Sequence, residues 1–579
     1  MQAILSVIFC FFSNFTSRRF SIPFKKVGDG HGKSFRSVMF VILVTTLFAP
    51  FFVKAQDVYK DQRYGWLQKA EQTQPKLIES IKHPVSLVSL VKDEAVFQHW
   101  KAVKSDPVDT LYSKSFKKQS GVVVDFGEHL TGYFSFSLED FGRATDAPIR
   151  IKFTFGEVPS ELATPFDPYP GGLSRAWLQD EIITVSDVPS TITIPRRIAF
   201  RYVKMELLGS SRYSDFRISD LSFKAYTSVN TVPAPLATTT NKMIADIDRI
   251  GLTTLKECMQ TVYEDGPKRD RRLWIGDLYL ESLANIYSFK NHELTKHCLY
   301  LLAGLSYEDG VAPSNVFERP KPHPQINPLF DYALIYNVAV KDYVQATGDK
   351  ETAIDLWPLI KRQLEIPKKY LGADGMLDYE KANKEWWLFF DWRNGLDKQA
   401  ALQGVVIWAY KNTYELAKML SKENEVADLP GLIKKMTAAT HKNLYDKTTG
   451  VFISGKDKQV SYASQAWMVL SGVATKAEGA KALKNLSSIQ NVVYPGAPYL
   501  YHYVIEAMLQ CDMKQEAKDL LVSYWGGMVS KGADTFWEVY DPKDDFLSPY
   551  NFFPVNSYCH AWSCTPVYFI RKYPEVFQR

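Results

Sequence analysis

Hydrophobic and polar positions follow two different periods along this chain. Between about 84 and 230 the period is two. In YFSFSLED (133–140), Phe134, Phe136 and Leu138 alternate with polar residues; in IRIKFTFGE (149–157), Ile149, Ile151, Phe153 and Phe155 do the same. TITIPRR and RYVKMELLG repeat the pattern, and Gly, Pro, Asp and Ser separate the runs. Short strands with one buried face, joined by turns, predict a β-sandwich over 84–236. Beyond about 237 the period becomes helical. In the stretch starting at Asn241, residues Ile244, Ile247, Leu255, Cys258 and Val262 share one stripe, with Asn241 placed to cap it. Further helices are expected at 291–305, 330–347, 351–370, 400–420, 430–443, 461–472, 476–488, 498–510 and 514–524. At ~25–30 residues per helix and loop, about a dozen fit. No fixed-period repeat is present, which favours a closed α/α toroid over a solenoid for 237–579. The Pro- and Thr-rich NTVPAPLATTTN (230–241) reads as the linker.

The first 55 residues read as a leader. MFVILVTTLFAPFFV (39–53) follows Lys33 and Arg36 and precedes a small-residue cut at Ala55, the layout of a signal peptide too short to span a bilayer comfortably. Met39 is an alternative start. The expectation is a periplasmic or secreted chain beginning near Gln56, with no membrane attachment after cleavage and with 56–83 as an N-terminal extension. Hydrophobic (46%) and charged (23%) fractions are ordinary for a globular protein, and the net charge of +5 is spread too thinly for a nucleic-acid partner. Five cysteines remain after cleavage, scattered and odd in number, so they read as buried thiols rather than a disulfide framework or zinc site. No cofactor or metal-ligand spacing is found. The aromatic fraction is high (14%), and aromatic rings make flat platforms for sugar rings as well as cores.

Chemistry concentrates in DGPKRDRRLWIGD (265–277), where Asp265, Asp270 and Asp277 interleave with Arg269, Arg271, Arg272 and Trp274. Gly266-Pro267 breaks the preceding helix and a new one is expected from Leu273, so the charges sit on a loop at a helix junction. Glycoside hydrolysis needs two carboxylates, and neighbouring cations tune them and bind hydroxyls. An ion-paired surface loop is the competing reading. GADTFWEVY (532–540) adds Glu538 beside Trp537, a candidate for a raised pKa or a sugar contact. NSYCHAW (556–562) adds His560. EWWLFFDWRNGLDK (385–398) offers Trp386, Trp387, Trp392 and Asp391 as an aromatic-acidic rim, or else a core helix junction.

Together these stretches resemble the α-L-rhamnosidases of glycoside hydrolase family 78. The family signature D-C-P-x-R-E, followed by Trp and G-D, is matched at Asp265, Pro267, Arg269, Asp270, Trp274, Gly276 and Asp277. GADTFWE and NSYCHA match the later motifs, and DFGEHLTGY (125–133) matches one in the family's N-terminal domain. The resemblance implies an N-terminal β-sandwich, an (α/α)6 barrel, and inverting removal of terminal α-L-rhamnose from oligo- or polysaccharides. It puts Asp270 at the general acid and Glu538 at the general base. It puts Asp265, Arg269, Trp274, Asp277 and His560 at sugar-binding positions; Trp537, Trp386 and Asp391 are added from their composition. This chain departs from the family at three points. Asp270 stands where Glu is usual, shortening reach by ~1.5 Å, which makes Glu264 and Glu281 alternative donors. Gly266 and Cys559 replace Cys and Asn, and a C-terminal β-domain is expected to be lacking. Another sugar specificity on this scaffold, or a catalytically silent glycan-binding protein, are the competing functions.

Overall fold

The period-two runs become nine antiparallel strands in a computed structural model that describes residues 57, 59–119 and 121–579. The expected leader, 1–55, lies outside the described residues. The strands are β1 (Ile78–Lys82), β2 (Ser86–Lys92), β3 (Trp100–Asp106), β4 (Val122–Asp140), β5 (Ile149–Gly156), β6 (Asp180–Val185), β7 (Ser190–Thr193), β8 (Ile198–Gly209) and β9 (Phe216–Thr227). The long β4 serves two layers. Its first half pairs with β2 and β8, continuing to β3 on one side and to β5 and β6 on the other. Its second half pairs with β9 and β7, and β9 carries β1. The change of layer falls at a register shift between Asp125 and Leu130. Gly127 there has φ 81°, a left-handed conformation that a Cβ would strain. Between the layers Phe126, Phe134, Phe136, Phe153, Phe155, Phe200 and Phe223 are buried, several edge to face, as in Phe134–Phe155 at 5.3 Å and 73°. Each contributes about 1.5–3 kcal/mol of burial.

The helical period becomes a closed ring. Among the described residues six inner helices are Ile275–Ile286, Phe330–Thr347, Gln399–Met419, Tyr462–Leu470, Pro498–Gln510 and Pro566–Lys572. Each packs on the next, and Pro566–Lys572 with the turn before it returns to Ile275–Ile286. Six outer helices alternate with them: Lys242–Cys258, His292–Gly304, Lys350–Lys368, Leu429–Leu444, Lys476–Asn485 and Lys514–Ser530. The sequence sorts them. Ile275–Ile286 is buried at every position but its last, whereas Lys514–Ser530 buries one stripe. Asn241 caps Lys242–Cys258 as expected, accepting the Met243 N–H at 2.8 Å. The helix expected from Leu273 starts at Ile275, because Leu273–Trp274 instead pair with Asn315–Phe317 as a short ribbon. None of the helices in the described residues is long and apolar enough to cross a membrane.

Residues 57–83 connect the two halves. Helix Lys60–Thr73 lies on His292–Gly304 and buries Trp66 and Ala70 in the barrel core, while β1 completes the sandwich edge. The stretch read as an extension outside both domains thus belongs to each of them. All five cysteines of the described residues are buried free thiols. Residues 57–579 form one compact unit.

Candidate active site

The charged loop 259–274 leaves outer helix Lys242–Cys258 and enters inner helix Ile275–Ile286. It closes on itself, with Asp265 N–H donating to the Arg272 carbonyl (3.1 Å) and Arg271 N–H to that of Gly266 (3.2 Å). The Asp265 carboxylate accepts the N–H groups of Arg272 (3.0 Å) and Asp270 (3.4 Å). Backbone hydrogen bonds then join the three motifs: Ala561 N–H to the Asp265 carbonyl (2.8 Å), His560 N–H to Phe536 (2.8 Å) and Glu538 N–H to Ser557 (2.9 Å). Gly266 permits this approach, since a Cβ would sit 2.5 Å from Ser557 Oγ. Gly276 does the same for the inner helices, where a Cβ would lie 2.4 Å from the Tyr332 ring.

These contacts place a cavity of about 250 Å³ at the end of the barrel where the inner helices begin. It is smaller than the ~300–1,000 Å³ of drug-sized sites, a size suited to one sugar ring. Asp265, Arg269, Asp270, Asp277, Glu538 and His560 supply its charged lining. Trp274, Tyr332, Trp387, Phe389, Trp392 and Trp562 supply aromatic rings, the Trp562 ring lying 4.3 Å from that of His560, and Leu173 reaches in from the sandwich. Charged and aromatic groups together suit a ring that carries both hydroxyls and an apolar face.

Glu538 is held tightly. It forms a buried ion pair with Arg269 Nη2, accepts the Tyr550 hydroxyl at 2.5 Å and accepts the Ser557 N–H at 3.2 Å. Burial pushes its carboxyl up, but Arg269, His560, Tyr550 and Ser557 outweigh that and hold it below its ordinary value. The raised pKa expected from its aromatic neighbours is therefore reversed by a guanidinium that the sequence places 269 residues away. Asp270 lies 3.5 Å from both Arg269 Nη1 and Arg272 Nη1, and its side chain is 16% exposed against 2% for Glu538. Burial, then the Asp270 charge, pushes Asp265 up to about 8, with His560 opposing. Burial also raises Asp277, again against His560, whose Nε2 lies 3.4 Å from Asp277 Oδ1. For His560 burial acts downward, but Asp277, Glu538 and Asp265 outweigh it and hold the ring above its ordinary value.

The cavity brings together Asp265, Arg269, Asp270, Trp274, Asp277, Glu538 and His560, and with them Arg272, Trp387 and Trp392, all singled out from the sequence. Three others lie elsewhere. Trp537 is 1% exposed and stacks on Phe97 at 3.9 Å, away from the cavity, because neighbours in an extended segment point to opposite sides. Trp386 packs on Phe330 and donates its indole N–H to the Tyr370 hydroxyl (2.7 Å), while Trp387 lines the cavity. Asp391 is turned inward and accepts the N–H groups of Gly496 (2.5 Å) and Trp392 (2.9 Å), with burial raising its carboxyl to about 7. It braces the loop that presents Trp392. The alternative donors also fall outside: Glu264 is paired with Arg197 through contacts of 2.8 and 2.6 Å, and Glu281 is fully buried. Tyr550, Trp562 and Leu173 escaped the sequence reading. Trp562 follows His560 by two residues, which was a usable signal; Leu173 carried none, because its role depends on how the sandwich meets the barrel.

The sandwich also anchors the loop. Lys268 is 2% exposed and lies 3.0 Å from Glu157 and 2.8 Å from Glu161, both just after β5. Among the described residues no metal-ligating cluster is present.

With this geometry in place, two family models match the chain: the glycosyl hydrolase family 78 alpha-rhamnosidase N-terminal domain over residues 84–225, and the bacterial alpha-L-rhamnosidase 6 hairpin glycosidase domain over 236–573. The chain belongs to glycoside hydrolase family 78. It is similar to a rhamnosidase from Klebsiella oxytoca solved with rhamnose bound, at 38% identity over 88% of this chain and 99% of that one, with a TM-score of 0.85. The family 78 rhamnosidase of Bacillus sp. GL1 shares the fold at 21% identity, covering 78% of this chain and 46% of that one, with a TM-score of 0.65. The Streptomyces avermitilis α-L-rhamnosidase complexed with L-rhamnose shares it at 16%, over 86% and 44%, with a TM-score of 0.63. Comparison with curated proteins finds no match. This family 78 chain is thus a glycosidase of the α-L-rhamnosidase class, with the sandwich and six-hairpin barrel expected from its sequence.

Proposed function

We propose that this family 78 enzyme is exported and removes terminal α-L-rhamnose from oligo- or polysaccharides with inversion, with Asp270 as general acid and Glu538 as general base. The observation that carries this reading is a pair of carboxylates of different exposure facing a cavity the size of one sugar ring. Glu538 is held as a carboxylate, the form that accepts a proton from water. Asp270 is the more open of the two, on the side where the rest of a glycan has to lie. In the displacement, Glu538 takes a proton from water as that water attacks the anomeric carbon. Asp270 delivers its proton to the departing glycosidic oxygen, and the carboxylates offset the positive charge growing on the ring. Trp274 packs on the apolar face and 6-methyl group of the sugar. Asp265, Asp277, Arg269 and His560 hold its hydroxyls. The rhamnose bound in the Klebsiella oxytoca relative supports this choice of sugar.

The test is turnover of 4-nitrophenyl α-L-rhamnopyranoside with the product anomer followed by NMR. The expected first product is β-rhamnose, with turnover lost in Asp270→Asn and Glu538→Gln. Release of α-rhamnose refutes inversion, and rhamnose binding without turnover in the unaltered enzyme refutes hydrolysis. Export predicts a mature N-terminus at Gln56 by mass spectrometry.

A further inference from the structure

Asp270 lines a second recess besides the sugar cavity. On its other side lies a cleft of about 650 Å³ between sandwich and barrel. The sandwich contributes Tyr133, Trp177 and Arg197; the barrel contributes Arg271, Phe317, Glu318 and Arg319. Among the residues lining the two, Asp270 alone is shared. A proton donor has to sit at the oxygen of the bond that breaks. With the terminal sugar in the small cavity, the group beyond that oxygen enters the larger cleft.

Two of the three guanidiniums in this cleft have no ion-pair partner among the described residues. Arg197 is committed to Glu264 through contacts of 2.8 and 2.6 Å. Arg271 donates only to carbonyls, those of Pro267 (2.8 Å) and Arg197 (2.7 Å), and makes no ion pair among the described residues. Burial and then the Arg197 charge pull its guanidinium down to about 9, as expected for a cation short of counter-charge. Arg319 is exposed and likewise makes no ion pair among the described residues. Of the other carboxyls here, Asp270 lies 3.5 Å from Arg269 and Arg272, and Glu318 accepts the Thr261 hydroxyl (2.8 Å), with burial followed by the Glu264 charge raising it above its ordinary value. Arg271 and Arg319 are therefore left without a carboxylate partner, each carboxyl of the cleft being engaged elsewhere. Trp177 lies beside Arg271, 6.0 Å from ring centre to guanidinium carbon, and provides a flat face next to the cations.

We propose that this cleft is the leaving-group site and that it takes a uronate, a sugar ring whose carboxylate pairs with Arg271 and Arg319 while Trp177 supports the ring. The guanidinium fork matches a carboxylate in two parallel hydrogen bonds. The proposal rests on Asp270 as the general acid. It makes the sandwich a wall of the substrate site as well as a brace for the barrel.

The experiment compares kcat/KM for α-L-rhamnosyl-(1→4)-glucuronic acid and α-L-rhamnosyl-(1→4)-glucose, with the aryl rhamnoside alongside. The unaltered enzyme should favour the uronate at least tenfold, and the preference should shrink as salt screens the charges. Arg271→Met should abolish the preference. Arg319→Gln, at an exposed position clear of the loop, should reduce it even where Arg271→Met disturbs folding. Equal turnover of the two disaccharides, or a preference indifferent to both substitutions, overturns the uronate site while leaving the aryl rhamnoside result intact. Failure on the aryl rhamnoside as well overturns the catalytic assignment and the cleft with it.

Discussion

Replacing Lys268 by Met tests whether the sandwich holds the catalytic loop through a buried ion triad. Lys268 is 2% exposed and its ammonium lies 3.0 Å from Glu157 and 2.8 Å from Glu161, both fully buried. Removing one member of a buried pair leaves uncompensated charge and costs about 3–5 kcal/mol. Met keeps most of the volume, so a cavity adds little. The sign with pH follows from the two glutamates. Burial already holds Glu161 above its ordinary value and raises it further without Lys268, while Glu157 then keeps only His129, 3.0 Å away, as a buried cationic partner against burial. The native state then binds more protons, and stability falls as pH rises. The deficit should thus be larger at pH 8 than at pH 5. Urea unfolding read by tryptophan fluorescence measures both values. The double variant Lys268→Met/Glu161→Gln should recover much of the loss, because it removes one stranded charge and leaves Glu157 paired with His129. A cost below about 1 kcal/mol, the range of a surface pair, or a deficit independent of pH, refutes the reasoning.

Three further outcomes are expected. Glu538→Gln and Asp270→Asn should each lower kcat by about 10²–10⁴, the usual contribution of a general acid or base, with the anomer assay above as the check. Burial raises the Asp265 carboxyl to about 8, so stability linked to it is present near pH 4 and lost as pH rises through about 8. Its ionisation removes a hydrogen-bond donor to the sugar hydroxyls, so kcat/KM should fall above pH 8, and Asp265→Asn, which keeps a donor, should flatten that alkaline limb. Trp387→Ala should raise KM for the aryl rhamnoside while folding is kept, whereas Trp537→Ala should cost about 3–5 kcal/mol of stability; a selective KM effect from Trp537 instead would return it to the sugar site.

The local sequence determined the elements and the charged motifs that line the cavity. A period of two made strands and a period near 3.6 made helices, and the helix ranges read from 291 to 524 fall within a few residues of those observed, apart from the longer last helix, Lys514–Ser530. Capping by Asn241 is equally local, whereas helix Lys242–Cys258 ends eight residues before Gly266-Pro267, the breaker read from the sequence, and leaves Val262 outside it. The tertiary structure decided which neighbouring aromatic faces the cavity. Trp386 and Trp387, or Trp537 and Glu538, are adjacent in sequence and point to opposite sides, and periodicity is silent once a segment is neither helix nor regular strand. It also decided the charge states. Glu538 sits among aromatics in sequence, but in space it meets Arg269, Tyr550 and the Ser557 N–H, which reverse the shift that burial alone imposes. Last, it decided where the two domains touch, bringing Leu173, Trp177 and the Glu157–Lys268 contact to the site from far along the chain. Electrostatics and packing act through distance in space, and for these residues that distance is set only by the closed barrel and the sandwich folded onto it.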